Sequence, residues 1–179
     1  MLPHDYADED CSLARSLEEI GQRWTLLIVR DAFYGVRRFS DFAEHLRLPR
    51  TVLSSRLRGL VTAGLMARVD GPGGHLEYVL TPKGLALWPA VRALIGWGDR
   101  FCSPNGVRRR YHHIVDNGII DASGSCPACG TTVSVGDIVM KVGPGLDGSA
   151  PNDDPISREL RMPHRFLEPV GAAPGGFRL

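Results

Sequence analysis

Between Arg38 and Gly64 the chain reads RFSDFAEHLRLPRTVLSSRLRGLVTAG, and its apolar positions fall into two short helical periods broken at Leu48-Pro49. In the first, Phe39, Phe42, Ala43 and Leu46 form an apolar edge, with Ser40 the candidate N-cap. Pro49 suits the first turn of a new helix, where its missing N–H has no intrahelical partner to lose. In that second helix Leu53, Leu57, Leu60 and Val61 share one face at about 100° per residue. Thr51, Ser54, Ser55, Arg58 and Thr62 share the other. Two helices across a tight turn, the second narrow on its outer face, are the pattern of a helix-turn-helix.

The flanking pattern extends this unit. Leu13, Leu17 and Ile20 keep helical spacing from Cys11, and Gly21 ends that helix. WTLLIVRDAF, Trp24 to Phe33, is apolar on nearly every side, as a central helix would be, and Gly35 breaks the chain after it. Downstream, short strands are predicted over 65–70 and 76–80 around the turn GPGG, Gly71 to Gly74. A hairpin directly after the basic helix makes the unit a winged helix. Thr81-Pro82 then opens a helix predicted to run to about Phe101, with a kink at Pro89. Trp88, Val91, Ile95 and Cys102 lie on one face of it, and Ala90, Ala93 and Trp97 nearly opposite. One face can pack on its own domain; the other needs a partner copy or the C-terminal segment.

The expected class is therefore α+β: a mainly helical winged helix-turn-helix with a β-hairpin wing, plus a small β-rich C-terminal module. The winged helix and its dimerisation helix are assigned to 11–103 and the β-rich module, ribbon-like around its cysteines, to 104–142. Residues 143–179, rich in Pro and Gly with few aliphatics, read as a loose tail. A net charge of +1 says little, because charge is unevenly placed: acids crowd the start, while five arginines and no acid lie between Glu44 and Asp70. That stretch points to a nucleic-acid partner. No apolar run approaches the roughly 20 residues a membrane span needs, so a cytoplasmic chain without a membrane partner is expected.

The order CSLARSLEEIGQRWTLLIVRDAF, GVRRFSDFAEHL, LSSRLRGLVTAGLM, EYVLTPKGLALWPAVRALIGWGD resembles the HxlR-type winged-helix transcriptional regulators. The likeness covers about Cys11 to Asp99 and departs from the commonest pattern at Ser12, where proline is usual, and in the long tail. It implies a homodimer built from the N-terminal helix and the long helix, with recognition helices in successive major grooves and wings on flanking DNA. Leu13, Leu17, Trp88, Val91, Leu94, Trp97 and Phe101 are the interface candidates. Some members of that family use a cysteine at the position of Cys11 to sense oxidants or electrophiles.

Geometry assigns the DNA contacts. Arg58 can pair with guanine or bind phosphate, while Thr51, Ser54 and Ser55 are short enough to let the helix sit deep. Arg50 stands at a helix start that favours phosphate, and Ser40 at the start of the preceding helix is a further DNA-contact candidate. Arg37, Arg38 and Arg56 flank the groove face as positioning contacts. Arg68 and His75 sit near the wing, either as phosphate or minor-groove contacts or as solvated hairpin residues. No enzyme constellation is visible: no phosphate loop, paired carboxylates or Ser/His/Asp spacing.

Four cysteines with one close pair make no disulfide framework. Cys11, ahead of the first helix, is either a redox sensor or a structural thiol, and Cys102 is expected in the core or an interface. Cys126 and Cys129 form a CPACG knuckle, half of a zinc ribbon, and the upstream candidates for its other half are His112, His113 and Asp116. Zinc held by this set stands against a degenerate ribbon that has lost its metal, and no cofactor is required. The regulator reading, with a small-molecule effector or thiol chemistry as input, stands against a thiol- or zinc-centred module whose winged helix contacts protein or RNA.

Overall fold

The computed structural model describes Tyr6, residues 9–146 and residues 153–171. Helices α1 (Ser12–Ile20), α2 (Thr25–Phe33), α3 (Phe39–Leu46) and α4 (Arg50–Thr62) come first. The wing follows as β1 (Met66–Asp70) and β2 (Leu76–Leu80), then α5 (Pro82–Leu85) and α6 (Trp88–Phe101). The β-rich part contains β3 (Arg109–His113), β4 (Ser125–Cys126), β5 (Thr131–Thr132) and β6 (Ile138–Val142). A short helix α7 (Pro155–Glu159) and strand β7 (His164–Arg165) close it. The class is α+β, a helical winged helix-turn-helix with a hairpin wing and a separate C-terminal sheet.

The wing pairs antiparallel from Met66↔Leu80 to Asp70↔Leu76. Its inner strand is also held by the segment before α3, through an Arg38↔Glu77 bridge and a Tyr78 N–H donated to the Arg37 carbonyl at 2.9 Å. The C-terminal sheet has the order β3-β6-β7, all antiparallel, and β4-β5 form a separate two-residue pair.

Several boundaries differ from the sequence reading, each for a local reason. Trp24 stands outside α2 in the left-handed region, φ 81°, so its indole swings onto the core while Arg23 covers the ring at 5.1 Å. Ser40 is not the cap of α3: Arg38 holds the cap position, and the Ser40 hydroxyl turns to Asp41 at 2.9 Å. Thr81 does cap α5, accepting the Gly84 N–H at 3.2 Å. The single long helix is two, because the chain breaks over Ala86-Leu87 and Pro89 opens a new first turn where it costs no hydrogen bond.

The larger correction concerns the tail. Over 153–171 it is neither loose nor peripheral, since Ile156, Leu160, Phe166 and Val170 are buried. The parts of the expected loose tail at 147–152 and 172–179 lie outside the described residues. Phe166 inserts its ring among Trp88, Tyr34, Tyr111 and Phe33 at centroid separations of 4.8, 5.6, 5.7 and 6.1 Å. Trp88 in turn meets Phe33 edge-on at 5.3 Å and Tyr111 at 5.2 Å. These rings come from α2, α6, β3 and the strap after β7, so the winged helix and the β-rich part share one core. The Tyr34 and Tyr111 hydroxyls meet inside it at 2.8 Å, one donating to the other.

Where the strap crosses α2, Gly35 is obligatory. It sits at φ +89°, and a Cβ there would collide with the Glu168 carbonyl. The crossing is sealed by the Val170 N–H donated to the Gly35 carbonyl at 3.1 Å and the Leu167 N–H to the Phe33 carbonyl at 2.9 Å. Gly35→Ala should cost more than the roughly 1–2 kcal/mol of the left-handed conformation alone, because backbone must also move. An unfolding free energy, measured in urea, that falls by less than that would show that the strap can step aside.

Candidate nucleic-acid interface

Helix α4 presents its two faces as its periodicity predicts. Leu53, Leu57 and Leu60 are buried, and Thr51, Ser55, Arg58 and Thr62 are exposed with Ser54 half-buried. Phe39, Arg50, Thr51, Ser54, Ser55 and Arg58 line one open depression across the exposed face. The Arg50 guanidinium, at the first turn of α4, lies 6.0 Å over the Phe39 ring, so it is steered without being neutralised. The side chains of Arg58, Arg38, Arg68 and His75, all exposed, make no hydrogen bond or ion pair with the described residues. A concave strip of hydroxyls with free guanidinium groups, unbroken by an acid, is complementary to a groove lined by phosphates.

Two expected groove residues are spoken for. Arg37 donates to the Leu167 carbonyl at 2.7 Å and pairs with the buried Glu77 at 3.6 Å, tying the wing base to the C-terminal strap. It belongs to the scaffold. Arg56 donates to the Arg23 carbonyl at 3.1 Å and to Gln22 Oε1, fastening α4 to the α1–α2 turn. Ser40, exposed at the start of α3, remains beside the depression without lining it.

The HxlR-like helix-turn-helix family model matches residues 19–106, from the end of α1 through the wing and α6. An HTH-type transcriptional regulator of Mycobacterium tuberculosis is 41% identical over 149 residues, 81% of this chain and 92% of that one. The chain belongs to the HxlR-like helix-turn-helix family. The Bacillus subtilis HTH-type regulator YodB is 31% identical over 88 residues, 48% of this chain and 79% of its own. The crystal structure of PA1607, a candidate transcription factor, superposes with a TM-score of 0.51 at 44% identity. It covers 54% of this chain and 68% of that one. The mycobacterial alignment is longer than the matched HxlR-like domain, so it reaches beyond it. Relatives and fold are those of transcription regulators.

On the HxlR-like domain the apolar surface is divided cleanly. Trp88 and Val91 are core residues, 2% and 4% exposed, and leave the expected dimer set because the strap and β3 cover their face. Leu94, Trp97 and Phe101 are 54%, 58% and 61% exposed on the opposite stripe of α6, with the last two rings 5.6 Å apart. Leu13 and Leu17 of α1 are exposed as well, at 65% and 38%. No helix among the described residues is long and apolar enough to cross a membrane.

Cys102 is exposed, not in the core. Cys11 is also exposed, at the cap position of α1, where the Ala14 and Leu13 N–H groups lower its thiol pKa and Arg15 adds to them. In the β-rich part His113, Asp116, Cys126 and Cys129 gather their ligand atoms within 4.8 Å of one another. His112 is not among them, its Nδ1 lying 2.9 Å from the Asn117 carbonyl. The Asp116 carboxyl is pulled down to about 2, first by the Gly118 N–H and then by the Cys129 and Cys126 thiols, whereas desolvation pushes Cys126 up.

A cavity of about 470 Å³ opens between the HxlR-like domain and the C-terminal part, with Arg30, Arg109, Tyr34 and Tyr111 in its wall. Nothing in the sequence pattern pointed to it, because its wall is built from segments far apart in the chain. Beside it His45 Nδ1 stands 3.2 Å from both Asp154 Oδ1 and Ser157 Oγ. The Ser157 hydroxyl donates to Asp154, the cap of α7, so this cluster staples α7 to α3.

Proposed function

We propose that the chain is a sequence-specific transcriptional regulator that binds double-stranded DNA as a homodimer on a pseudo-palindromic operator, in the cytoplasm. The observation that carries this is the exposed, acid-free face of α4, where Thr51, Ser54, Ser55 and Arg58 surround one depression with Arg50 at its head. Arg58 reads a base, Arg50 and Arg38 hold phosphate, and Arg68 and His75 reach flanking DNA from the wing. Leu13, Leu17, Leu94, Trp97 and Phe101 supply the apolar surface for a second copy, which sets the half-site spacing. The cavity between α2, α6 and β3 is the candidate place for a small effector. Cys11, exposed with a lowered pKa, is the thiol for a redox input.

Selection from random duplexes should yield a two-fold symmetric site. On it, Arg58→Ala should weaken binding by about 1–3 kcal/mol and relax preference at one base pair of each half-site. Arg38→Ala should weaken binding to every sequence and flatten the dependence on salt. Equal losses for both variants on operator and random DNA would sink the division of roles, and failure to enrich any site would sink the function.

A further inference from the structure

The β-rich part contains strands of only two residues, β4 and β5, joined by the CPACG knuckle. Pairs this short do not hold themselves together on backbone hydrogen bonds. The knuckle nevertheless lies against the far end of β3, where Cys129 Sγ stands 3.5 Å from His113 Nδ1. We propose that His113, Asp116, Cys126 and Cys129 form a tetrahedral zinc site that clamps the knuckle to β3.

The distances carry the assignment. Zinc bonds of about 2.0–2.3 Å to nitrogen, oxygen and sulfur require neighbouring ligand atoms about 3.3–3.8 Å apart in a tetrahedron. Here Cys126 Sγ is 3.4 Å from each Asp116 carboxylate oxygen, and Cys129 Sγ is 3.5 Å from His113 Nδ1. His113 Nδ1 is 3.4 Å from Asp116 Oδ1. Three edges of the figure thus have the length a bound ion would give them.

The surroundings fit the same shape. Gly118 donates its N–H to Asp116 Oδ1 at 2.8 Å, fixing the carboxylate as the partners of metal ligands do. A Cβ on Gly118 would stand 2.5 Å from Cys126 Sγ, so glycine is what lets the two loops close on one point. Thiolates and an imidazole select zinc over magnesium or calcium, which prefer oxygen donors. Four protein ligands leave no open coordination position, so the role is structural.

This site differs from a ribbon with two histidines, because only one of the adjacent pair contributes and Asp116 completes the set. The test uses untagged full-length protein, grown with zinc and never exposed to a chelator. Elemental analysis should find about one zinc per chain, and a separate preparation grown with cobalt in place of zinc should give the intense visible bands of a tetrahedral thiolate complex. Cys126→Ser combined with Cys129→Ser should abolish both signals. His113→Gln and Asp116→Asn should each lower occupancy or change the cobalt spectrum, and His112→Gln should leave both as in wild type.

Zinc below about a tenth of an equivalent with no tetrahedral cobalt spectrum would overturn the proposal. So would zinc retained by the double serine variant, or lost on His112→Gln but kept on His113→Gln. Should the serine variant fail to fold, the wild-type cobalt spectrum decides by itself.

Discussion

Phe166→Ala is expected to lower the unfolding free energy by about 3–5 kcal/mol, in one transition that takes the recognition helix with it. The residue lies far outside the matched HxlR-like domain, yet its ring is 1% exposed and touches Phe33, Tyr34, Trp88 and Tyr111. Truncation to alanine leaves a cavity at the junction of four segments, none of which can collapse without moving the others. Met162→Ala, at a side chain 66% exposed on the same stretch, should be nearly neutral. Urea unfolding followed by helix circular dichroism and by tryptophan fluorescence provides the check. Two separated transitions, with the helical one unmoved by Phe166→Ala, would mean the winged helix has a core of its own.

Trp97→Asp should convert a dimer into a folded monomer. At 58% exposure the indole contributes little to the core of its own chain, so the substitution leaves the fold intact. In a dimer buried against a second copy, the new carboxylate would be stranded without a partner at a cost of several kcal/mol. Sedimentation at micromolar concentration reads the change, and circular dichroism confirms that the monomer is folded. DNA affinity should fall with it, because one α4 then engages one half-site alone. A wild-type monomer under those conditions would end the dimer reading.

The sequence was most legible where local rules act alone. The α4 face and the wing were readable because their signals, a leucine stripe at helical period and a glycine-proline turn between short strands, refer only to neighbours in the chain. Helix α6 shows where such rules stop: Trp88 and Trp97 sit on opposite faces, equally apolar, and the tertiary partners Phe33, Tyr111 and Phe166 determine which is interior. Phe166 itself gave no sign, as an isolated aromatic in a Pro- and Gly-rich stretch with no period to join. Arg37, Arg56 and Arg58 are chemically identical, and their roles diverge through tertiary partners alone: the Leu167 carbonyl, Gln22, and solvent. His112 and His113 are adjacent in a strand, so one residue of parity separates the Asn117 carbonyl from the cysteine cluster, and the pattern of β3 did not reveal that parity.

The strap also sets a timetable for the newborn chain. Phe33 and Trp88 leave the ribosome long before the ring that covers them, and Trp88 precedes Phe166 by 78 residues. At about 5–20 residues per second that interval is roughly 4–16 seconds. Throughout it the helix-turn-helix is synthesised but unsealed, with an indole and a phenyl ring open to water. The aromatic core that Phe166 shares with Phe33, Trp88 and Tyr111 can close only once the strap has been made.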